Sequence, residues 1–377
     1  MWHKLAGLAV VLCAAAGLVG LGGMSGPAQA QEDYELRSIP VTGESFVGAF
    51  LSPDAQTLAV FEDGNLHNNE LVLFYLPVRL VNLETEAVTP LIGATDYATS
   101  AAFSPDGSQL ATYHGSGTIF LWDVSAGEEI GQLPAFPGAA RLGYMPDGER
   151  LVVLPSLNIP HILVWDIEQN AITKVLMQRY ATLGQYRESL SSFSPDYLLG
   201  FDVSKDGSTI ATSTFYNNIL LWDAESGKAR VLVASEEQRP VLDIRTIWFT
   251  SDGATLIYRH HRNATVTYVD VASGEIVNEV SLSAPASVAV TVDGSRIAWV
   301  DRDARAIQVM DVPGAGGSGP ILTIPLPENE LDVLTATMNS HLAFSADGSR
   351  LVYAGFLTNY PGENEVIVID FPTGVAG

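Results

Sequence analysis

Arg259-His260-His261-Arg262 is the one stretch of this 377-residue chain in which four basic side chains run together. Two guanidiniums flanking two imidazoles could grip a carboxylate or a phosphate through forked, charge-assisted hydrogen bonds. The same residues also read as a polar hairpin tip. Asp301-Arg302-Asp303 follows further along and offers either ion-pair partners for that cluster or a small cation site. Calcium chemistry would want a D-x-D-x-D-G loop, and none occurs. His67, His114, His161 and His341 complete the histidines downstream of residue 30. Metal binding or general-base work would need them beside carboxylates at close range. The even spacing of His67, His114 and His161 is misleading, because they fall at different distances from the turns that punctuate the chain. They read as solvated turn residues. No metal set, cofactor-binding set or catalytic residue is assembled from the sequence. G-x-S-x-G, H-E-x-x-H, P-loop and dinucleotide fingerprints are missing. Asn263-Ala264-Thr265 matches a glycosylation sequon.

The elements that must carry these residues are short strands. Ala102 and Phe103 end an apolar run, and Ser104-Pro105-Asp106-Gly107 is turn chemistry: proline presets φ, aspartate bonds the backbone, glycine accepts positive φ. Leu110-Ala111-Thr112 opens a second strand. Thr118 to Trp122 is β-branched and aromatic and reads as a third, and Glu128 to Leu133 as a fourth. A four-stranded unit of this kind cannot cover both its faces alone, so it should recur. The turn aspartate returns as Asp54, Asp106, Asp147, Asp206, Asp252, Asp293 and Asp347, with the shorter intervals near the ~40–45 residues of a propeller blade. In phase with it come Val81-Asn82-Leu83, Leu121-Trp122-Asp123, Val164-Trp165-Asp166, Leu221-Trp222-Asp223, Val269-Asp270, Met310-Asp311 and Ile369-Asp370.

Phe103-Ser104-Pro105-Asp106-Gly107 together with Leu121-Trp122-Asp123 resembles a WD40 repeat, and the array over roughly residues 34–374 is similar to secreted WD40-like β-propellers. The resemblance implies an all-β fold: a seven-bladed propeller of four-stranded antiparallel blades. It departs from the family in one respect. WD40 blades usually carry a Gly-His pair before the first strand and an aspartate in the second turn. Here Gly115, Ser116, Asn217 and Asn218 occupy that turn region and no Gly-His pair occurs. Trp122, Trp165 and Trp222 share one strand position and read as packing between blades.

The last repeat lacks a fourth strand. Tyr34-Glu35-Leu36-Arg37-Ser38-Ile39 precedes the first blade and is expected to supply it, closing the ring and hiding two sheet edges. With strands labelled A to D from the centre outwards, A–B and C–D turns share one face, and B–C and D–A connections share the other. Length varies on the second face. It carries the excursion around His67, Asn68 and Asn69, another around Tyr360, and long links at residues 178–199 and 313–340. Phe193-Ser194-Pro195-Asp196 in the first of these is read as loop. His114, His161, Tyr216, Asn217, Arg259, His260, His261, Arg262, Asp301, Arg302 and Asp303 also fall on that face. Loops on a rigid scaffold are where binding concentrates.

Residues 1–30 read as a signal peptide: Lys4, an apolar run from Leu5 to Gly23, then Ala28-Gln29-Ala30. An uncleaved anchor is the rival reading. Residues 31–377 are then the propeller, secreted or periplasmic. The single cysteine, Cys13, lies in the leader. A net charge of −24 argues against nucleic acid and against anionic membrane after cleavage. The expected function is a non-enzymatic scaffold binding a protein or extracellular ligand on the B–C/D–A face. The alternative is a propeller enzyme, similar to lactone hydrolases or quinoprotein dehydrogenases, with its site at the central channel.

Overall fold

The computed structural model describes residues 34–41, 46–62, 77–94, 96–138, 140–155, 161–177, 198–235, 243–312, 322–326, 341–355 and 364–372. These form seven antiparallel four-stranded sheets. Strand β1 (Glu35–Val41) stands apart in sequence from the sheet it joins. Blade 1 holds β2 (Phe46–Leu51), β3 (Thr57–Glu62), β4 (Arg79–Asn82) and β5 (Val88–Pro90). Blade 2 holds β6 (Ala98–Phe103), β7 (Gln109–His114), β8 (Thr118–Asp123) and β9 (Glu128–Pro134). Blade 3 holds β10 (Ala140–Tyr144), β11 (Arg150–Pro155), β12 (His161–Asp166) and β13 (Ala171–Met177). Blade 4 holds β14 (Leu198–Val203), β15 (Thr209–Thr214), β16 (Ile219–Asp223) and β17 (Ala229–Val233). Blade 5 holds β18 (Ile244–Phe249), β19 (Thr255–His260), β20 (Thr265–Asp270) and β21 (Ile276–Ser281). Blade 6 holds β22 (Pro285–Val290), β23 (Arg296–Asp301), β24 (Ala306–Asp311) and β25 (Leu322–Pro325). Blade 7 holds β26 (His341–Phe344), β27 (Arg350–Ala354) and β28 (Asn364–Asp370), with β1 outermost.

The two middle strands of each blade are apolar on both faces because a neighbouring blade covers each face. In β8 and β12 the four central residues are all buried, whereas outermost β21 is exposed or half-exposed throughout. Side chains then alternate between two interfaces. Ala111, Tyr113 and Leu121 face blade 3, while Leu110, Phe120 and Trp122 face blade 1. All three repeated tryptophans are buried in such interfaces, Trp122 and Trp222 almost fully.

The A–B turns share one hydrogen-bond device. In blade 2 the Ser104 hydroxyl donates to Asp106 at 2.6 Å and accepts from the Gln109 amide at 2.9 Å. Asp106 accepts the Ser108 amide at 3.0 Å, and Gly107 turns the chain at φ 74°. Ser52, Ser204, Thr250, Thr291 and Ser345 do the same for their aspartates. Blade 3 has Met145 in the hydroxyl position, and Asp147 instead takes the Arg150 guanidinium at 2.6 and 2.7 Å.

β1 pairs along its whole length with β28, from Glu35 opposite Asp370 to Val41 opposite Asn364. Ile39, Val41, Val366 and Val368 then pack with Leu58, Val60, Val81 and Leu83 of blade 1. Arg37 and Arg350 both bond Asp370, and Arg350 also reaches Glu84 at 2.7 Å. The ring is therefore closed by the first described strand, as the sequence implies.

A candidate ligand-binding face

β19 alternates its side chains between blades. Tyr258 and His260 face blade 4, and Arg259 faces blade 6. Arg259 is only 6 % exposed. It donates to the carbonyls of Pro285 at 2.8 Å and Ala286 at 3.3 Å on the innermost strand of blade 6. Arg302, in the B–C turn of blade 6, donates to the same Pro285 carbonyl at 3.2 Å. Burial first, and the neighbouring Arg302 second, lower the Arg259 pKa to about 10.

The expected pairing of this cluster with Asp301-Arg302-Asp303 is not what the structure shows. Asp301 accepts from the Ser283 hydroxyl and from the amides of Asp303 and Ala304. The acidic partner is Asp243, at the end of the D–A link into blade 5. It meets the His260 ring at 3.1 Å and accepts the Arg262 amide at 2.6 Å, while its carbonyl accepts the His261 amide. His261 and Arg262 themselves are exposed. Partial desolvation and then Arg259 and Arg245 push His261 down to about 4, so it is neutral at pH 7.

His114 differs from the solvated turn residue that the sequence suggests: it is 2 % exposed. The Trp122 indole donates to Thr112 at 2.9 Å, which leaves the Thr112 hydroxyl to donate to His114 Nε2 at 3.0 Å. Nδ1 then donates to the Asp96 carbonyl at 3.0 Å. Burial lowers the His114 pKa, which suits this neutral tautomer. The histidine and aspartate that a WD40 blade uses are thus present with their places exchanged. The aspartate precedes the first strand and the histidine ends the second. Blade 4 keeps the Trp222–Thr212 bond at 2.8 Å. There Asn217 is buried at φ 60°, and its amide oxygen caps the amides of Asp243 and Ile244. That side chain holds the entry to blade 5 and is not presented to solvent. Tyr216 beside it is half-buried against Phe215. His161 is half-buried, with Nδ1 enclosed and unpartnered. His67, Asn68, Asn69 and Tyr360 lie outside the described residues, as does the 193–196 segment.

Two arginines that motif reading passes over sit on innermost strands. Arg141 is the second residue of β10 and Arg245 the second of β18, both at the end nearest the B–C/D–A face, and burial first and then Arg245 disfavour the charge of Arg141. β14 lies between them. A Cβ on Gly200 of β14 would come within 2.2 Å of the Arg245 carbonyl oxygen, so only glycine lets these inner strands approach. Lower in β14, Asp202 accepts the amides of Phe249 and Val203, yet burial outweighs them and raises its pKa to about 6. A lone charged residue within each short inner strand was the available signal. Among the described residues no group of three or more His, Cys, Asp or Glu could hold a metal ion.

The same face carries exposed apolar groups around the Gly115-Ser116-Gly117 turn. Tyr97 is 53 % exposed and Phe136 48 %. A Cβ on Gly115 would strike the Tyr97 ring, and one on Gly117 the Phe136 backbone, so the glycines let both residues lie flat against the turn. The Tyr113 hydroxyl fixes Phe136 by donating to its carbonyl at 2.5 Å.

No family model matches the chain. It is 27 % identical over 184 residues to WD repeat-containing protein 1 of Xenopus tropicalis, covering 46 % of this chain and 26 % of that protein. It is 27 % identical over 135 residues to small ribosomal subunit protein RACK1 of Medicago sativa, covering 35 % of this chain and 41 % of that one. The chain thus spans less than half the length of these curated relatives. Among solved structures, the Cps50 (Swd1) β-propeller domain of Myceliophteria thermophila superposes with a TM-score of 0.62 at 12 % identity, covering 87 % of this chain and 97 % of that one. A chain of the Mitotic Checkpoint Complex does so at 0.64 and 16 %, covering 94 % and 98 %. With seven four-stranded antiparallel blades, the Trp–Thr bonds of blades 2 and 4 and these likenesses, the chain is a WD40-like seven-bladed β-propeller.

Proposed function

We propose that the chain is a non-enzymatic scaffold that binds a protein on its B–C/D–A face, outside the cytoplasm. The observation that carries this reading is the exposure of Tyr97 and Phe136 together, on a turn held rigid by the propeller. Rigid, exposed aromatics are the anchors from which protein interfaces draw most of their energy. Arginines on the same face add a second residue type enriched at such sites. Two of the likenesses point the same way: one relative is named as a ribosomal subunit protein, and one structural neighbour is part of a multi-protein complex. The apolar run from Leu5 to Gly23 and Ala28-Gln29-Ala30 support export.

The test is affinity capture from native extract with the wild type, a Tyr97→Ser/Phe136→Ser variant, and Val292→Ser on the opposite face. Recovery of the captured partner should fall at least about tenfold with the double variant only. Equal recovery by all three proteins refutes the assignment of the face. Mass analysis of the natively expressed protein should give an N-terminus at Gln31; an intact Met1 in the membrane fraction would refute cleavage in favour of an anchor, and an intact Met1 in the cytoplasmic fraction would refute export.

A further inference from the structure

Arg259 is a guanidinium almost wholly removed from water that makes no ion pair among the described residues, although Asp243 acts on its charge from further off. Its two terminal nitrogens end on neutral carbonyls, and its Nε is enclosed with no acceptor. Arg302 shares one of those carbonyls, and its Nε is enclosed and unpartnered as well. The two nearby carboxylates are already committed: Asp243 to the His260 ring and the Arg262 amide, Asp301 to Ser283 and its own turn. Among the described residues neither guanidinium has an ion-pair partner. A buried, unpaired charge is costly, and a chain of net charge −24 has no shortage of carboxylates to supply one. Arg245 and Arg141 add positive charge on the inner strands at the same end of the ring, and Arg141 has no acidic partner among the described residues either. Four cations thus gather where the blades converge, on a molecule that is otherwise strongly acidic.

We infer that the mouth of the central channel between blades 5 and 6 is an oxyanion site, in which Arg259 and Arg302 bind a carboxylate or phosphate group and Arg245 and Arg141 attract it. Forked guanidinium donors match either group, and both guanidiniums keep terminal N–H groups beyond those given to the Pro285 and Ala286 carbonyls. This site does not depend on Tyr97 and Phe136 or on protein docking, so either proposal can fail without the other.

The full chain is titrated with inorganic phosphate, and separately with glutarate, at low ionic strength, with melting temperature and heat of binding as readouts. Potassium chloride at matched ionic strength is the control. A saturable rise in melting temperature beyond the chloride response is expected with at least one of the two. A response to phosphate alone assigns a tetrahedral ligand, and a response to glutarate alone or to both assigns a carboxylate-compatible one. Arg259→Met and Arg302→Gln should each weaken binding by about tenfold or more. Arg305→Gln, in the same turn as Arg302 but solvent-facing, should leave it unchanged. In anion-free buffer Arg259→Met should melt at or above the wild-type temperature, because an uncompensated charge has gone. If that variant fails to fold, Arg302→Gln carries the test. A response no larger than that to chloride, or one that both arginine variants retain, overturns the site.

Discussion

Trp165 shows how far one atom decides a blade's quality. Trp122 and Trp222 each give their indole N–H to a threonine, Thr112 and Thr212. Trp165 occupies the same strand position, but Val153 stands where the threonine would be, and its indole N–H is buried without an acceptor. Val153→Thr is nearly isosteric and should raise the unfolding free energy by about 1 kcal/mol, read from urea unfolding. A loss of stability would show that the hydroxyl costs more to bury than the indole gains. Asp202 works in the opposite sense from the turn aspartates. Its native pKa, about 6, lies above the ordinary carboxylate value of about 4, so the native state holds the proton more tightly than the unfolded chain. Its contribution is full below about pH 4 and is lost as pH rises through about 6. Relative to Asp202→Asn, the wild type should therefore become less stable between pH 4.5 and pH 7. A constant difference across that range would contradict the raised pKa. Asp106 and Asp206, whose serine hydroxyls hold their pKa values low, pull the other way as pH falls, which is why the comparison with the variant is needed.

Among the elements, β1 has the most consequence for its size. Its seven residues complete blade 7 and cover the apolar edge of β28, and Ile39 and Val41 enter the core shared with blade 1. Deleting residues 31–41 should lower the melting temperature by about 10 °C or more, or leave the protein insoluble. A synthetic peptide of residues 31–41 should partly restore it by re-forming the strand. A deletion mutant that melts like the parent would dispose of the seam. The blade boundaries and the A–B turns were legible because their signals are local, and the seam by counting strands, one short in the last repeat and one spare before the first. Serine or threonine, aspartate and glycine within four residues specify a turn without help from elsewhere. Asp243 and Asp96 were not legible for the converse reason. Each lies in a D–A link with no motif of its own and acts on a strand or turn some twenty residues away, His260 and Arg262 in one case, His114 in the other. Arg259 was visible as a charge, but only the sheet register shows that it turns towards Pro285 and away from Asp301.

For the molecule as a whole, the two ends of the described chain are neighbours in one sheet, since Glu35 faces Asp370. Order of manufacture now matters. Among the described strands, a ribosome delivers β1 first and its partner β28 last. Every other blade can pair its strands as soon as they appear, while β1 must wait through the synthesis of the whole ring. Until then Ile39 and Val41 of β1 have no partner strand and the ring stays open. Chains that lack β28 would leave β1 without its mate and the sheet of blade 7 incomplete.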